Sequence, residues 1–210
     1  ALPPPVNPPP LAALKIPQGP DWDEANELAQ NDRPAEAAAL MQRLREQAQS
    51  QGQQENWAYA LVREIQLRGG RQESETAVRL LRAEKWPDAP QPHLLVELYY
   101  AHSLIEYIRR YSYEIRQRER ITSAPAPGKA AAEVDLKSWS YDQIIAEVHR
   151  SLEHLWQQRE AVGGTPLAAL SPFLQANNYP AEVRGTLRDS LTYLLVELLV
   201  DTANWRPEQN

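Results

Sequence analysis

Glu147, His149, Glu153 and His154 bring two histidines and two acids onto one predicted helix. Carboxylates beside imidazoles are the raw material of general acid–base work and, at other spacings, of metal ligation. His149 and Glu153 stand at i,i+4, one above the other on a helix, which suits a solvated face with an ion pair. A hydrolase or glycosidase needs more: two carboxylates, or a nucleophile with a positioned base, converging on one pocket. The chain has no HExxH, no GxxxxGK[ST] and no GxSxG, and Gly163-Gly164-Thr165 lacks the surroundings of a phosphate loop. Its four histidines, His93, His102, His149 and His154, have no ligand-like spacing, and with no cysteine there is no thiol chemistry. The reading is therefore non-enzymatic, with no catalytic residue, no cofactor and no metal.

A second grouping is aromatic and cationic. Between Tyr99 and Arg120 five tyrosines alternate with five arginines, a mixture that could stack bases or grip phosphates. Helical spacing instead sets most of these tyrosines against an apolar stripe, where such rings form core or a seam between helices. Tyr99, His102, Tyr107, Arg110 and Tyr113 are the candidate protein-binding residues, with His102 expected to be half buried and bonded to a neighbouring helix. Arg184, Arg188 and Asp189 precede the most apolar segment, where an arginine–carboxylate fork could lock two helices. A net charge of -6 argues against general nucleic-acid binding.

The elements that position these residues are all helical. The 210 residues contain 18 prolines and 8 glycines, and 42% of them are hydrophobic, which excludes collagen-like repetition, a disulfide scaffold and wholesale disorder. Eight of the prolines fall in residues 1–20 and predict an extended leader, a spacer or strap. Residues 21–88 read as helical hairpins: a short helix capped by Asp21 or Asp23, a second starting at Pro34, a third over 55–68 ending at Gly69-Gly70, and a fourth over 73–84. Trp22 and Trp57 lie thirty-five positions apart, near the period of tetratricopeptide repeats.

Residues 89–207 read as a bundle around a long helix from Pro92 to about Arg120. One stripe runs Leu94, Leu98, Ala101, Ile105, Ile108, Ser112, Ile115, and a second runs Val96, Tyr100, Leu104, Tyr107, Tyr111. Residues 122–132 (SAPAPGKAAA and the threonine before it) predict a mobile loop. Ser140 and Gln143 form a capping box that starts a helix through Trp156. Asn177-Asn178-Tyr179-Pro180 reads as the turn before a last helix, which is apolar enough to be buried nearly all round but too short to cross a bilayer. The fold class is all-α, about seven helices, with residues 21–207 forming one compact unit.

Asp135-Leu136-Lys137-Ser138-Trp139, the Asn177–Pro180 turn, Tyr99–Leu104, Tyr111–Arg116 and the run from Arg184 to Thr202 resemble the N-terminal helical region of large bacterial alpha-2-macroglobulin-like proteins. The resemblance covers roughly residues 55–207 and implies an exported, periplasmic protein, often a lipoprotein, that traps proteases by conformational change. It implies that this chain is a fragment whose bait, thioester and macroglobulin domains follow Asn210. It transfers no site residue, and without cysteine neither a thioester nor a lipid-bearing residue lies here. The partners it implies are other domains of the same polypeptide, and proteases or envelope proteins. Two other readings stand beside it: a helical envelope enzyme acting on cell-wall glycan, and a self-contained solenoid adaptor.

Overall fold

A computed structural model describes residues 15–68, 73–119, 136–162, 165–170 and 185–200. The leader up to residue 14, the two glycine pairs, the 122–132 loop and the 177–180 turn lie outside the described residues. Those described are helical: α1 (Pro20–Gln30), α2 (Pro34–Ser50), α3 (Gln54–Arg68), α4 (Glu73–Ala83), α5 (Pro90–Glu119), α6 (Tyr141–Gln157), the single turn α7 (Arg159–Val162) and α8 (Leu187–Val200), with 3-10 turns at Leu136–Ser138 and Leu167–Leu170. Seven of the helices exceed one turn, and no strand occurs among the described residues. The chain divides into two compact units, one spanning Ile16–Ser151 and the other beginning, for its helical part, at Leu152 within α6.

In the first unit α1, α2 and α3 are joined by two tight turns of one design. α1 starts at Gly19, whose φ of 135° is open to glycine and strained for any other residue, followed by Pro20 at the first helical position. The expected Asp21 or Asp23 cap is corrected: no side chain caps α1, and both aspartates sit inside the first turn, where the helix dipole favours negative charge. α1 ends with Asp32 in the left-handed region (φ 57°) and the Arg33 amide donating to the Leu28 carbonyl at 2.9 Å. α2 ends the same way, with Gly52 at φ 67° and the Gln53 amide donating to Ala48 at 2.9 Å. Both are six-to-one closures that satisfy carbonyls the helix end would leave open.

The turns fold α1 onto α2 and α2 onto α3, while α5 packs on α3 and α4. The core is apolar where the periodicity demands it: Ala37, Met41 and Leu44 from α2, Leu61 and Ile65 from α3, Val78 and Leu81 from α4. On α5 both predicted stripes are buried, except that Ser112 and Tyr111 are half exposed. α5 is not one straight rod: Tyr111 leaves helical geometry (φ -112°, ψ 21°). Trp22 and Trp57 occupy unlike places. Trp22 is half exposed and edge-on to Tyr59 at 5.7 Å, whereas Trp57 is buried in α3, so their spacing lends no support to a repeat.

In the second unit, Thr165–Leu167 and Gly185–Leu187 form a single antiparallel bridge, with Leu187 N–H donating to Thr165 O at 2.9 Å and Leu167 N–H to Gly185 O at 3.0 Å. The bridge delivers the chain into α8, which packs on α7. α8 is a helix as expected, but the expectation that it is buried nearly all round is corrected. Leu187, Leu191 and Leu198 are buried, whereas Val196, Leu199 and Val200 are exposed. The 187, 191, 198 spacing is that of one face, and a single face is what the unit covers. Leu191→Asp, placing an unpaired charge at a 1% exposed site, is expected to abolish cooperative melting of this unit, while Leu199→Asp, at 58% exposure, stays within about 0.5 kcal/mol of wild type in thermal denaturation.

Candidate functional site

Glu147, read from sequence as part of a solvated face, instead lies half buried at the edge of the α6 core face. Ile144, Val148 and Ser151 are buried beside it, and i,i+3 and i,i+4 spacing carries Glu147 with them. Its carboxylate collects four donors. Arg82, in the last turn of α4, reaches Glu147 Oε1 at 3.2 Å, Tyr100 of α5 donates its hydroxyl hydrogen to the same oxygen at 3.1 Å, and Arg150 forms a fork at 3.0 Å to each oxygen. Arg82 also donates to the Tyr100 hydroxyl oxygen at 2.9 Å, so that hydroxyl both gives and accepts. The Arg82 guanidinium lies 4.5 Å over the Trp139 ring.

Aromatic packing encloses this knot. Trp86 donates its indole N–H to Leu81 O at 2.7 Å and presents an edge to Tyr100 at 5.3 Å and to His93 at 5.5 Å. His93 Nδ1 lies 2.9 Å from the Pro87 carbonyl, which can only accept, so that nitrogen carries the hydrogen. Burial would raise the Glu147 carboxyl, but the hydrogen bonds of Arg150 and Tyr100 and the charge of Arg82 outweigh it and hold the group below the usual carboxylate range. Burial pushes the Tyr100 hydroxyl up to about 12, against the opposing pull of Arg82. General acid–base catalysis at neutral pH is best served by a group that titrates near it. Here the acid is fixed ionised and the phenol fixed protonated, so the knot holds α4, α5 and α6 together with neither group poised to move a proton.

A second buried ion cluster joins α2, α3 and the residue after α4. Arg45 donates to Glu64 at 2.9 Å and pairs with Glu84, and Arg68 reaches the other Glu64 oxygen at 2.9 Å. Burial disfavours the Arg45 charge, and the carboxylates of Glu64 and Glu84 more than restore it, leaving its pKa raised. No signal in the sequence separated Arg45 from its solvated neighbours Arg43 and Glu46, because the α2 stripe of Leu40, Leu44 and Ala48 places position 45 only at its margin.

The residues expected to bind protein divide in two. Tyr99, His102, Arg110 and Tyr113 share one side of α5, at the i, i+3, i+11 and i+14 positions of a helix; His102, Arg110 and Tyr113 are exposed, Tyr113 to 74%, and Tyr99 is half exposed. The expectation that His102 is half buried is corrected by its position on this outer side. Tyr107 does not join them: one step around the helix, it is buried, stacks on Tyr111 at 4.9 Å and accepts from both terminal nitrogens of Arg118 at 3.3 Å. Arg118 is thereby half buried.

The expected Arg188–Asp189 lock is replaced by a cap. Asp189 accepts from Thr186 N–H at 3.0 Å and from the Thr186 hydroxyl at 2.8 Å, while Thr186 Oγ1 accepts from Asp189 N–H at 3.3 Å, so this pair opens α8 as Ser140 and Gln143 open α6. Arg188 instead lies 3.8 Å from Glu160. His149 and Glu153 are both exposed on α6, and Arg184 is outside the described residues. A shallow groove of about 190 Å³ lies where the start of α1 meets the end of α2, lined by Gln18, Asp21, Trp22, Gln47 and Gln53 among others.

The sign of each shift sets a pH window. Glu147, lowered when folded, stabilises above the unfolded value near 4.5 and loses this as pH falls through its folded value. Glu147→Gln is expected to be destabilised in urea at pH 7 by about 1–3 kcal/mol, and the gap to wild type is expected to narrow at pH 3; an equal gap at both contradicts the assignment. Tyr100, raised from 10.0 to about 12, stabilises fully below pH 10 and loses this as pH climbs through 12. Tyr100→Phe therefore flattens part of the alkaline loss of melting temperature between those values. Neither a scan against protein-family models nor searches of curated proteins and of solved structures found a match to this chain.

Proposed function

We propose that this chain is a non-enzymatic helical scaffold and interaction domain, the N-terminal part of a large exported, protease-trapping protein of the bacterial envelope resembling the alpha-2-macroglobulins. The observation that carries the interaction reading is the outer side of α5, where Tyr99, His102, Arg110 and Tyr113 are aligned and presented to solvent. Tyrosine and arginine are among the residue types that dominate binding energy at protein interfaces; one helical rod holds Tyr99, His102 and Arg110, and Tyr113 follows directly after the break at Tyr111. The Glu147 knot supports the non-enzymatic part, since its carboxylate is held ionised and its phenol protonated. The partners proposed are other domains of the same polypeptide, with proteases or envelope proteins beyond them.

Two observations test this. The open reading frame around the segment is expected to carry a lipobox upstream of Ala1 and a long β-rich continuation after Asn210; a stop codon directly after Asn210 overturns the macroglobulin-like part. In the product of that frame, replacing Tyr113 with the photo-crosslinker p-benzoylphenylalanine is expected to yield covalent protein adducts, and replacing the exposed Glu46 of α2 is not. Equal yields from both positions, or none from 113, overturn the binding face.

A further inference from the structure

The helices of the Ile16–Ser151 unit follow one another in space, α1 on α2, α2 on α3, α3 on α5, and charge is spread unevenly over their exposed sides. From Pro20 to Asp32 the chain has no lysine or arginine and five carboxylates, Asp21, Asp23, Glu24, Glu27 and Asp32, every one exposed. Between Tyr99 and Arg118 four arginines stand against two glutamates; His102, Arg109, Arg110, Tyr113 and Arg116 are exposed, as is Glu114. Arg109 is paired with Glu106 at 2.9 Å and Arg118 is turned to Tyr107, so Arg110 and Arg116 make the excess. In a chain of net charge -6 this outer side of α5 is a cationic exception.

We infer that the cationic side of α5 receives the acidic α1 of a second copy of this chain. The inference rests on the reading of that side as a protein-binding surface and names its occupant. The chemistry is complementary in kind as well as sign. Guanidinium groups form two-pronged bonds to carboxylates, and the exposed Tyr113 adds aromatic area that a purely electrostatic contact lacks. The 11 residues of α1 extend ~16 Å; His102 to Arg110, in the rod before the break at Tyr111, extends ~12 Å at 1.5 Å per residue, and Tyr113 and Arg116 continue the row beyond the break.

A second copy is singled out because one chain carries both halves of the match. The two patches differ, so the contact is head-to-tail and leaves a free acidic end and a free cationic end on every pair. Successive copies then extend the same series of packed helices, as stacked helical repeats do within one chain. Each contact is an encounter of exposed charges and is weakened by salt, because the screening length falls from about 10 Å at 0.1 M to about 3 Å at 1 M.

Sedimentation velocity of the 210-residue chain, from about 1 to about 100 µM in about 0.02 M and 0.5 M sodium chloride, tests this. At low salt the weight-average mass is expected to rise from 23.9 kDa to at least roughly twice that value, and at high salt to remain monomeric. The reversals R109E/R110E/R116E and D23K/E24K/E27K are each expected to stay monomeric, and their equimolar mixture to regain the mass growth through the inverted pairing. Circular dichroism checks that both keep wild-type helicity; if one does not, the salt dependence of the wild type decides. A wild-type chain that is monomeric throughout at low salt, or growth that survives both reversals, overturns the inference. Protein adducts from position 113 beside a monomeric chain overturn it while leaving the binding face standing.

Discussion

A carboxylate removed from water is tolerated only where its charge is answered by donors that cannot drift away, and Glu147 imposes that condition on three helices at once. Arg82 comes from α4, Tyr100 from α5 and Arg150 from α6 itself, so the rotation of each helix is fixed by the same oxygen atoms. Apolar packing alone lets helices slide and turn with small losses, because a methyl group has no preferred partner. The ionic knot removes that freedom. The Arg45, Glu64 and Arg68 cluster applies the same rule among α2 and α3. Each cluster is sealed on one side by core and left partly open on the other, the arrangement in which ion pairing offsets desolvation best.

What was legible in the sequence is what depends on short-range periodicity. The two stripes of α5, the Ser140–Gln143 box and the break at Asn31 to Pro34 are written within one or two turns of chain, and the structure reproduces them. What escaped depends on partners distant in the chain. Glu147 and Arg82 are sixty-five positions apart and Arg45 and Glu84 thirty-nine, so nothing local distinguishes these charges from their solvated neighbours. His102 was misplaced for a related reason: one position from a core alanine is 100° around a helix, enough to reach water. The Thr186–Asp189 pair could have been found, since it has the spacing of a capping box with aspartate in the place of glutamate.

The polar groups of this protein therefore do two separate jobs. Those of the two ion clusters are bonded to one another and spend their hydrogen-bonding capacity on alignment. The exposed charges of α1 are all acidic, while arginines outnumber glutamates on the outer side of α5, an uneven spread that stability does not require, since exposed ion pairs contribute little to it. Sorting by sign acts on encounters: it orients an approaching surface and rejects those of like charge.

The break at Tyr111 gives the long helix a joint between the turns that carry Tyr99 and His102 and the turns that carry Tyr113 and Arg116. A residue outside helical geometry interrupts the ladder of backbone bonds, so the two segments are separate rods, tied across the break by the Tyr107–Tyr111 ring contact and by Arg118 reaching back to the Tyr107 hydroxyl. A partner lying along this whole side has to follow the bend between them.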